Sequence, residues 1–273
     1  MGESAVIAGV TGTPGSGKSY YCVRKITDEL LKGKMVVTNV PMRSDWSRLL
    51  ANRNPLCRLL AFLGMRRWQR ARIARFEDRC AVVRTLDELM EWQLGCQVCG
   101  APADGRCEHR IKEGRGVAVV DEAHEWLNAR MWDEDKTLRS RYVNWFSTHR
   151  HNGWDVYLVS QHLDSLDKQV RDRIEYHVTL RNLRRAKLMG IPISPVNLFL
   201  AIWVWTQTSG GHRGRHINKR ELFMISAIAN VYSTFGAAIP YDRARPSLPR
   251  SARQPAESSS AAPAAAPDSG GTA

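Results

Sequence analysis

Apolar positions along the chain fall into two patterns that take turns. Short unbroken runs occur at 5–10 (AVIAGV), 35–42 (MVVTNVPM), 116–120 (GVAVV) and 154–160 (WDVYLVS). They are rich in β-branched residues, the mark of strands buried on both faces. Between them lie stretches of helical period, at 18–31, 85–92 and 136–151. The second of these opens with Thr85 and Glu88 at capping-box spacing. LDSLDKQVRDRIEY (163–176) reads as a further helix and HVTLRN (177–182) as a further strand. Strands alternating with helices predict an α/β domain with a mainly parallel sheet flanked by helices. After about residue 190 the alternation weakens, and NLFLAIWVWTQT (197–208) predicts a strand of an antiparallel extension. The domain is expected to span 1–242. From 243 to 273 Pro, Ala, Ser and Arg dominate, a composition that buries no core and predicts a disordered tail.

Two uncharged stretches are long enough to be weighed as membrane spans, 189–211 and 222–241. Pro192, Pro195 and Asn197 interrupt the first; Ser226, Asn230, Ser233, Thr234 and Gly236 dilute the second. A soluble chain is the expectation. No secretory leader is read at the start, where MGESAVIAGV runs straight into a strand pattern, so a cytoplasmic location is expected.

Charge changes the picture. The formal net charge is +13 over 273 residues, which points to a polyanionic neighbour: nucleic acid, an acidic membrane surface, or both. A generally basic protein is the plainer alternative. The segment 43–80 concentrates the charge, with ten arginines against three acids, and carries Leu56, Leu59, Leu60 and Leu63 at helical spacing. It reads as a basic helical insert that contacts an acidic membrane, contacts DNA or a partner, or is merely solvated.

The six cysteines do not form a secreted disulfide framework in a chain of this size. CQVCGAPADGRCEHR places Cys96, Cys99, Cys107 and His109 within an insertion at 93–115. This is a candidate structural Zn²⁺ site, with reduced loop thiols as the alternative. Cys22, Cys57 and Cys80 are expected to be buried apolar residues.

The chemistry is concentrated at GTPGSGKS (12–19), which matches G-x-x-x-x-G-K-[ST] between a buried strand and a helix. Gly12, Thr13, Pro14, Gly15, Ser16, Gly17, Lys18 and Ser19, with Tyr20 following, are the predicted cradle for ATP. Successive N–H groups face the phosphates, Lys18 adds positive charge, and Ser19 offers a hydroxyl to Mg²⁺. VVDE then delivers Asp121 and Glu122 to the carboxyl end of a strand, where open α/β sheets bind ligands. Asp121 is the expected magnesium partner of Ser19, and Glu122 the group that polarises the attacking water. Gln161, after Ser160 at the end of VYLV, is a candidate to touch the γ-phosphate. Arg150, Arg171 and Arg173 are candidate fingers for a neighbouring subunit's nucleotide, with Arg150 preferred. The letters DEAH at 121–124 also name a helicase class. That class needs a second α/β repeat, which is not read after 190, so Ala123 and His124 are taken only to begin the next segment.

GTPGSGKSYYCVRKI, VVTNVPM, VVDEAHEWLNAR, STHRHNGWDVYLVSQHLDSLDKQVRDRIEYHVTLRN and ANVYSTF follow one another in an order that resembles the zonula occludens toxin-like family. Its members resemble assembly and export ATPases of filamentous bacteriophages. The resemblance covers roughly residues 5–235, and HRHNGWD…SQ…DK…RD…E is its most specific part. It implies a P-loop NTPase of the additional-strand, catalytic-glutamate type that works as a ring or other homo-oligomer. The implied partners are phage DNA or its protein complex, coat protein and membrane assembly proteins, at the host inner membrane. Many members continue into a membrane span, whereas here a Pro/Ala/Ser tail follows. The readings carried forward are a virion-extrusion motor, a cytoplasmic DNA-remodelling ATPase, and an ATP-switched partner recruiter.

Overall fold

The structure is a computed structural model that describes residues 6–94, 113–128, 136–184, 187–188, 191–192, 197–206, 216–226, 229 and 231–232. Its strands are β1 (Ile7–Thr11), β2 (Met35–Thr38), β3 (Cys80–Val82), β4 (Gly116–Val120), β5 (Trp154–Val159), β6 (Tyr176–Asn182), β7 (Lys187–Leu188), β8 (Ile191–Pro192), β9 (Leu198–Trp205) and β10 (His216–Met224). Its helices are α1 (Lys18–Leu31), α2 (Trp46–Ala51), α3 (Pro55–Phe62), α4 (Arg66–Glu77), α5 (Leu86–Met90), α6 (Lys136–Thr148) and α7 (Lys168–Arg171). Eight strands make one sheet in the order β10-β9-β6-β1-β5-β4-β2-β3, and β7 and β8 form a separate two-stranded pair. The six strands from β6 to β3 are parallel, while β9 runs antiparallel to β6 and β10 antiparallel to β9. The expected α/β class, with a mostly parallel sheet and an antiparallel extension, is the fold observed.

The unbroken apolar runs are explained by cover on both faces. Val117 and Val119 of β4 join the core shared with α1, and Ala118 and Val120 join the core shared with α6. β9 instead alternates: Phe199, Ala201 and Trp203 are buried against α1 and β10, while the residues between them are half-exposed. A two-residue period of this kind belongs to an antiparallel strand with one covered face.

Three expectations change. The stretch 163–176 is not one helix but a 3₁₀ turn at Leu163–Ser165 and the single turn of α7. Asp167 divides them, because its buried carboxylate accepts from the Gln169 N–H at 2.8 Å and from Arg139 Nη2 at 2.7 Å. A residue held this way starts a helix rather than continuing one. The capping box is also altered: Thr85 Oγ1 accepts from the Glu88 N–H, but Glu88 reaches back to the Arg84 N–H instead of that of Thr85. Cys57 is half-buried on α3, whereas Cys22 and Cys80 are buried and burial pushes the Cys80 thiol up to about 12. Both stretches weighed as membrane spans contribute strands, Leu198–Trp205 from the first and Leu222–Met224 from the second. No helix among the described residues is long and apolar enough to cross a membrane. Cys96, Cys99, Cys107, His109 and the tail at 243–273 lie outside the described residues.

Candidate functional site

Parallel strands point their carboxyl ends the same way, so the chain leaves β1, β2, β4 and β5 at one edge of the sheet. That edge gathers Gly12, Asn39, Asp121 and Ser160 from four distant parts of the sequence. β5 sits between β1 and β4, pairing with both, and so separates the strand of the glycine loop from the strand of the acids.

The loop from Gly12 to Ser19 curls tightly enough for the Ser16 N–H to donate to the Thr13 carbonyl at 2.9 Å. Gly15 and Gly17 have φ of 76° and 90°. Gly17 has a second reason to be glycine: a Cβ there would stand 2.8 Å from the Phe199 ring. Gly12 is similarly confined, since a Cβ would meet Ser16 Oγ at 2.3 Å. The buried Ser16 hydroxyl has no hydrogen-bond partner among the described residues. Asn182, at the end of β6, steadies the loop through Nδ2 to the Gly15 carbonyl at 3.2 Å. The Lys18 ammonium donates to the Gly12 carbonyl at 2.9 Å, folded over the loop that its charge would serve. The N-terminus of α1 faces the same space, adding the positive end of a helix dipole to the loop's amides. The Tyr20 side chain is placed otherwise: its ring stacks on Phe223 and its hydroxyl bonds the Met224 carbonyl and the Ser226 N–H. The helical turn directs it into the core, leaving only its backbone near the loop.

Asp121 is half-buried, with the Ser19 hydroxyl near enough to favour its charged form. Burial pushes its carboxyl above the usual range, and the Glu122 charge adds to this; the Glu122 N–H, Ser19 and Lys18 oppose it. Its backbone is held by a residue that sequence reasoning missed. Asn39 donates Nδ2 to the Asp121 carbonyl and accepts the Asp121 N–H on Oδ1, both at 2.7 Å. Asn39 stands within the motif VVTNVPM, but nothing in its local sequence says that β2 lies beside β4.

Glu122 is the single non-glycine residue with positive φ among the described residues, at φ 48° and ψ 46°. Such a left-handed backbone persists only where the surroundings hold it, and these conformations cluster at functional sites. Its Oε2 makes no hydrogen bond among the described residues; His124 Nδ1 approaches it at 3.4 Å. His124 Nδ1 also lies 3.5 Å from Ser160 Oγ. His124 therefore does more than begin the next segment, because the 3₁₀ turn Ala123–Glu125 folds it back between the ends of β4 and β5.

Ser160 is fully buried and hydrogen-bonded to the His162 carbonyl, while the neighbouring Gln161 is exposed at the same edge. Arg150 is not brought to this edge. It precedes β5, at the opposite end of the sheet, and is ion-paired with Glu175 at the start of β6. A parallel strand carries the chain across the whole sheet between Arg150 and Gln161, so Arg150 is remote from its own chain's loop. Arg171 pairs with Asp164 at 2.6 Å, and Arg173 donates to Ser147 Oγ at 2.7 Å. Among the described residues no cluster of three or more His, Cys, Asp or Glu side chains forms a metal site.

The chain is similar to several known proteins. The chain is 30% identical over 185 residues to the gene 1 protein of Enterobacteria phage I2-2, covering 67% of this chain and 41% of that protein. It is 29% identical over 181 residues to the gene 1 protein of Enterobacteria phage M13, covering 66% and 43%. The chain thus spans about two fifths of the length of these relatives. Among solved structures it is similar to the N-terminal domain of zonular occludens toxin from Neisseria meningitidis, at 17% identity and a TM-score of 0.43, over 84% of this chain and all of that one. The family profile described as "Zonular occludens toxin (Zot)" matches residues 6–194, more than half of the sequence, and the chain belongs to that family.

Proposed function

We propose that this chain is an ATP-hydrolysing motor for the assembly and extrusion of filamentous phage particles at the cytoplasmic face of the host inner membrane. One observation carries the enzymatic part: a single sheet edge holds the Gly12–Ser19 loop and the Asp121–Glu122 pair, with Ser19 beside Asp121. The strand order, with β5 between the loop strand and the acid strand, supports reading the sheet as the additional-strand type, in which Glu122 would take the catalytic place. Similarity to the phage gene 1 proteins supports the assembly part.

The loop's backbone amides cradle the ATP phosphates, and the Lys18 ammonium exchanges the Gly12 carbonyl for the β- and γ-phosphate oxygens. Ser19 and Asp121 fit a magnesium ion: one hydroxyl and one carboxyl that burial keeps uncomfortable as an anion stand together at the loop's end. When bound, that ion neutralises charge between the β- and γ-phosphates. Glu122 takes a proton from the attacking water, its free Oε2 being the available acceptor. Gln161 senses the γ-phosphate from the exposed end of β5. Subunits assemble into a ring, in which Arg150, Arg171 or Arg173 would face a neighbour's nucleotide. Phage DNA or its protein complex, coat protein and membrane assembly proteins are the partners. The zinc expected at Cys96, Cys99, Cys107 and His109 falls outside the described residues, and metal analysis of the purified chain tests it.

The test is steady-state ATP hydrolysis by wild type and Glu122→Gln, with nucleotide binding measured in parallel. We expect the variant to bind ATP as wild type does and to hydrolyse it about a hundredfold more slowly or worse. A variant that hydrolyses at the wild-type rate would remove Glu122 from the mechanism. A wild type that binds ATP but is inert alone, with single-stranded DNA and with vesicles would leave an ATP-switched recruiter instead of a motor.

A further inference from the structure

The helical hairpin α3–α4 is built unlike the rest of the molecule. Asn54 caps α3, accepting from the Leu56 and Cys57 N–H groups, and Pro55 occupies its first turn. Gly64, with φ 82°, turns the chain into α4. α3 has no buried residue at all, and α4 buries only Phe76 near its end. The base of the hairpin is fastened to α2, by Ser47 Oγ to Glu77 at 2.6 Å and by Gln69 to Asn52 at 2.5 Å. The apolar residues toward the tip are exposed: Phe62 is 87% exposed, and Leu56, Leu63 and Trp68 are each 60% exposed. Of the eleven large exposed apolar side chains among the described residues, six fall between 56 and 68, so they form a patch rather than a scatter.

Beside the patch, a cleft of about 410 Å³ between α2, α3 and α4 is lined by Arg48, Asn52, Arg58, Phe62, Arg66 and Arg70. No acidic side chain lines it, and none of the four arginines has an ion-pair partner among the described residues. Guanidinium groups converging without carboxylates suit a phosphate, which they bind through forked hydrogen bonds.

We propose that the α3–α4 arm docks this protein on an anionic lipid bilayer: the arginine cleft takes a lipid phosphate while Leu56, Leu59, Phe62, Leu63 and Trp68 enter the headgroup–acyl boundary. The pairing of these two features selects the occupant. A nucleic-acid backbone would satisfy the arginines but leave the leucines and Phe62 in water. A second copy of the chain would bring its own arginines and a net charge of +13 against these. An acidic bilayer satisfies both, since interfacial helices bury apolar side chains beneath a polar face that meets anionic headgroups. The inference rests on the motor reading for its purpose, but its chemistry needs no nucleotide.

The experiment is co-flotation of the full chain, without ATP, with vesicles of phosphatidylcholine alone or mixed with phosphatidylglycerol. We expect partition into the mixed vesicles only, weakening as salt is raised. Arg58→Ser or Arg66→Ser should each lower the partition about fivefold. Phe62→Ser should lower it about tenfold or more at unchanged charge. Thermal melts of each variant should match wild type, since all three positions are exposed. Equal binding to both vesicle types, or Phe62→Ser binding like wild type, overturns the proposal. So does a loss confined to labelled single-stranded DNA in the arginine variants, which would assign the cleft to nucleic acid; so does full displacement by millimolar inorganic phosphate. ATP hydrolysis measured on the same preparations separates failure of the arm from failure of the motor reading.

Discussion

Asn39 grips Asp121 by both backbone groups, and its contribution is positional. Asn39→Ala leaves an N–H and a carbonyl without partners where the acid must stand, a loss of about 1–3 kcal/mol. We expect kcat for ATP hydrolysis to fall roughly tenfold with KM little changed, read from steady-state kinetics at saturating ATP. A change confined to KM would show that Asn39 serves ground-state binding instead. His149 offers a second test, in pH rather than rate. Burial lowers its pKa to about 4, and its Nδ1 bonds the Phe146 carbonyl at 2.6 Å. The unfolded chain takes up this proton near the ordinary value of about 6.5 and the folded chain only near 4, so the stabilisation is complete above the first and is lost as pH falls toward the second. Urea titrations between these limits should show stability falling with acid, and His149→Gln should flatten that part of the curve. The two residues also mark what a local sequence can reveal. Lys18, Asp121 and Glu122 announce themselves because their chemistry depends on neighbours in the chain; Asn39 and His124 act on groups brought by other strands or by a backwards turn.

At the scale of elements, the strands buried on both faces were legible because nothing but an apolar run can occupy such a place, and β4 and β5 lie where they were expected. β3 has three residues, too few to show a period, and β10 hides its alternation behind Lys219, Arg220 and Glu221, of which Glu221 pairs with Lys25 at 3.7 Å. The 163–176 segment has helical spacing throughout, yet Asp167 breaks it because tertiary contacts outweigh propensity. That contrast has a measurable form. Thr85→Ala removes a cap at the surface and should cost about 1 kcal/mol. Asp167→Ala removes a cap, a buried charge and the partner of Arg139 together, and should cost roughly 3–5 kcal/mol in denaturant midpoints. Similar losses for the two would mean that Arg139 recovers its hydrogen bonds from water.

The whole molecule depends on an extension that the family profile does not reach. The match ends at residue 194, before β9 and β10, yet these strands complete the core over α1. Phe199 lies against Gly17 of the loop, Phe223 stacks with it and with Tyr20, and the Lys25 ammonium sits 5.1 Å over the Trp203 ring. A chain ending at residue 196 should therefore lose cooperative unfolding and nucleotide binding, seen by calorimetry and by ATP titration. Retained binding would confine the extension to a peripheral role. The sequence by itself determined the alternation of strands and helices, the phosphate loop, the acid pair and the excess of positive charge, because each is written in residues close together in the chain. Only the tertiary structure decided that β5 separates loop from acids, that Asn39 clamps Asp121, that Arg150 lies at the far end of the sheet, and that a leucine-bearing helix stands uncovered beside four arginines. Those outcomes depend on which strands become neighbours and which helix faces find a partner, and both are settled by packing across long separations in sequence.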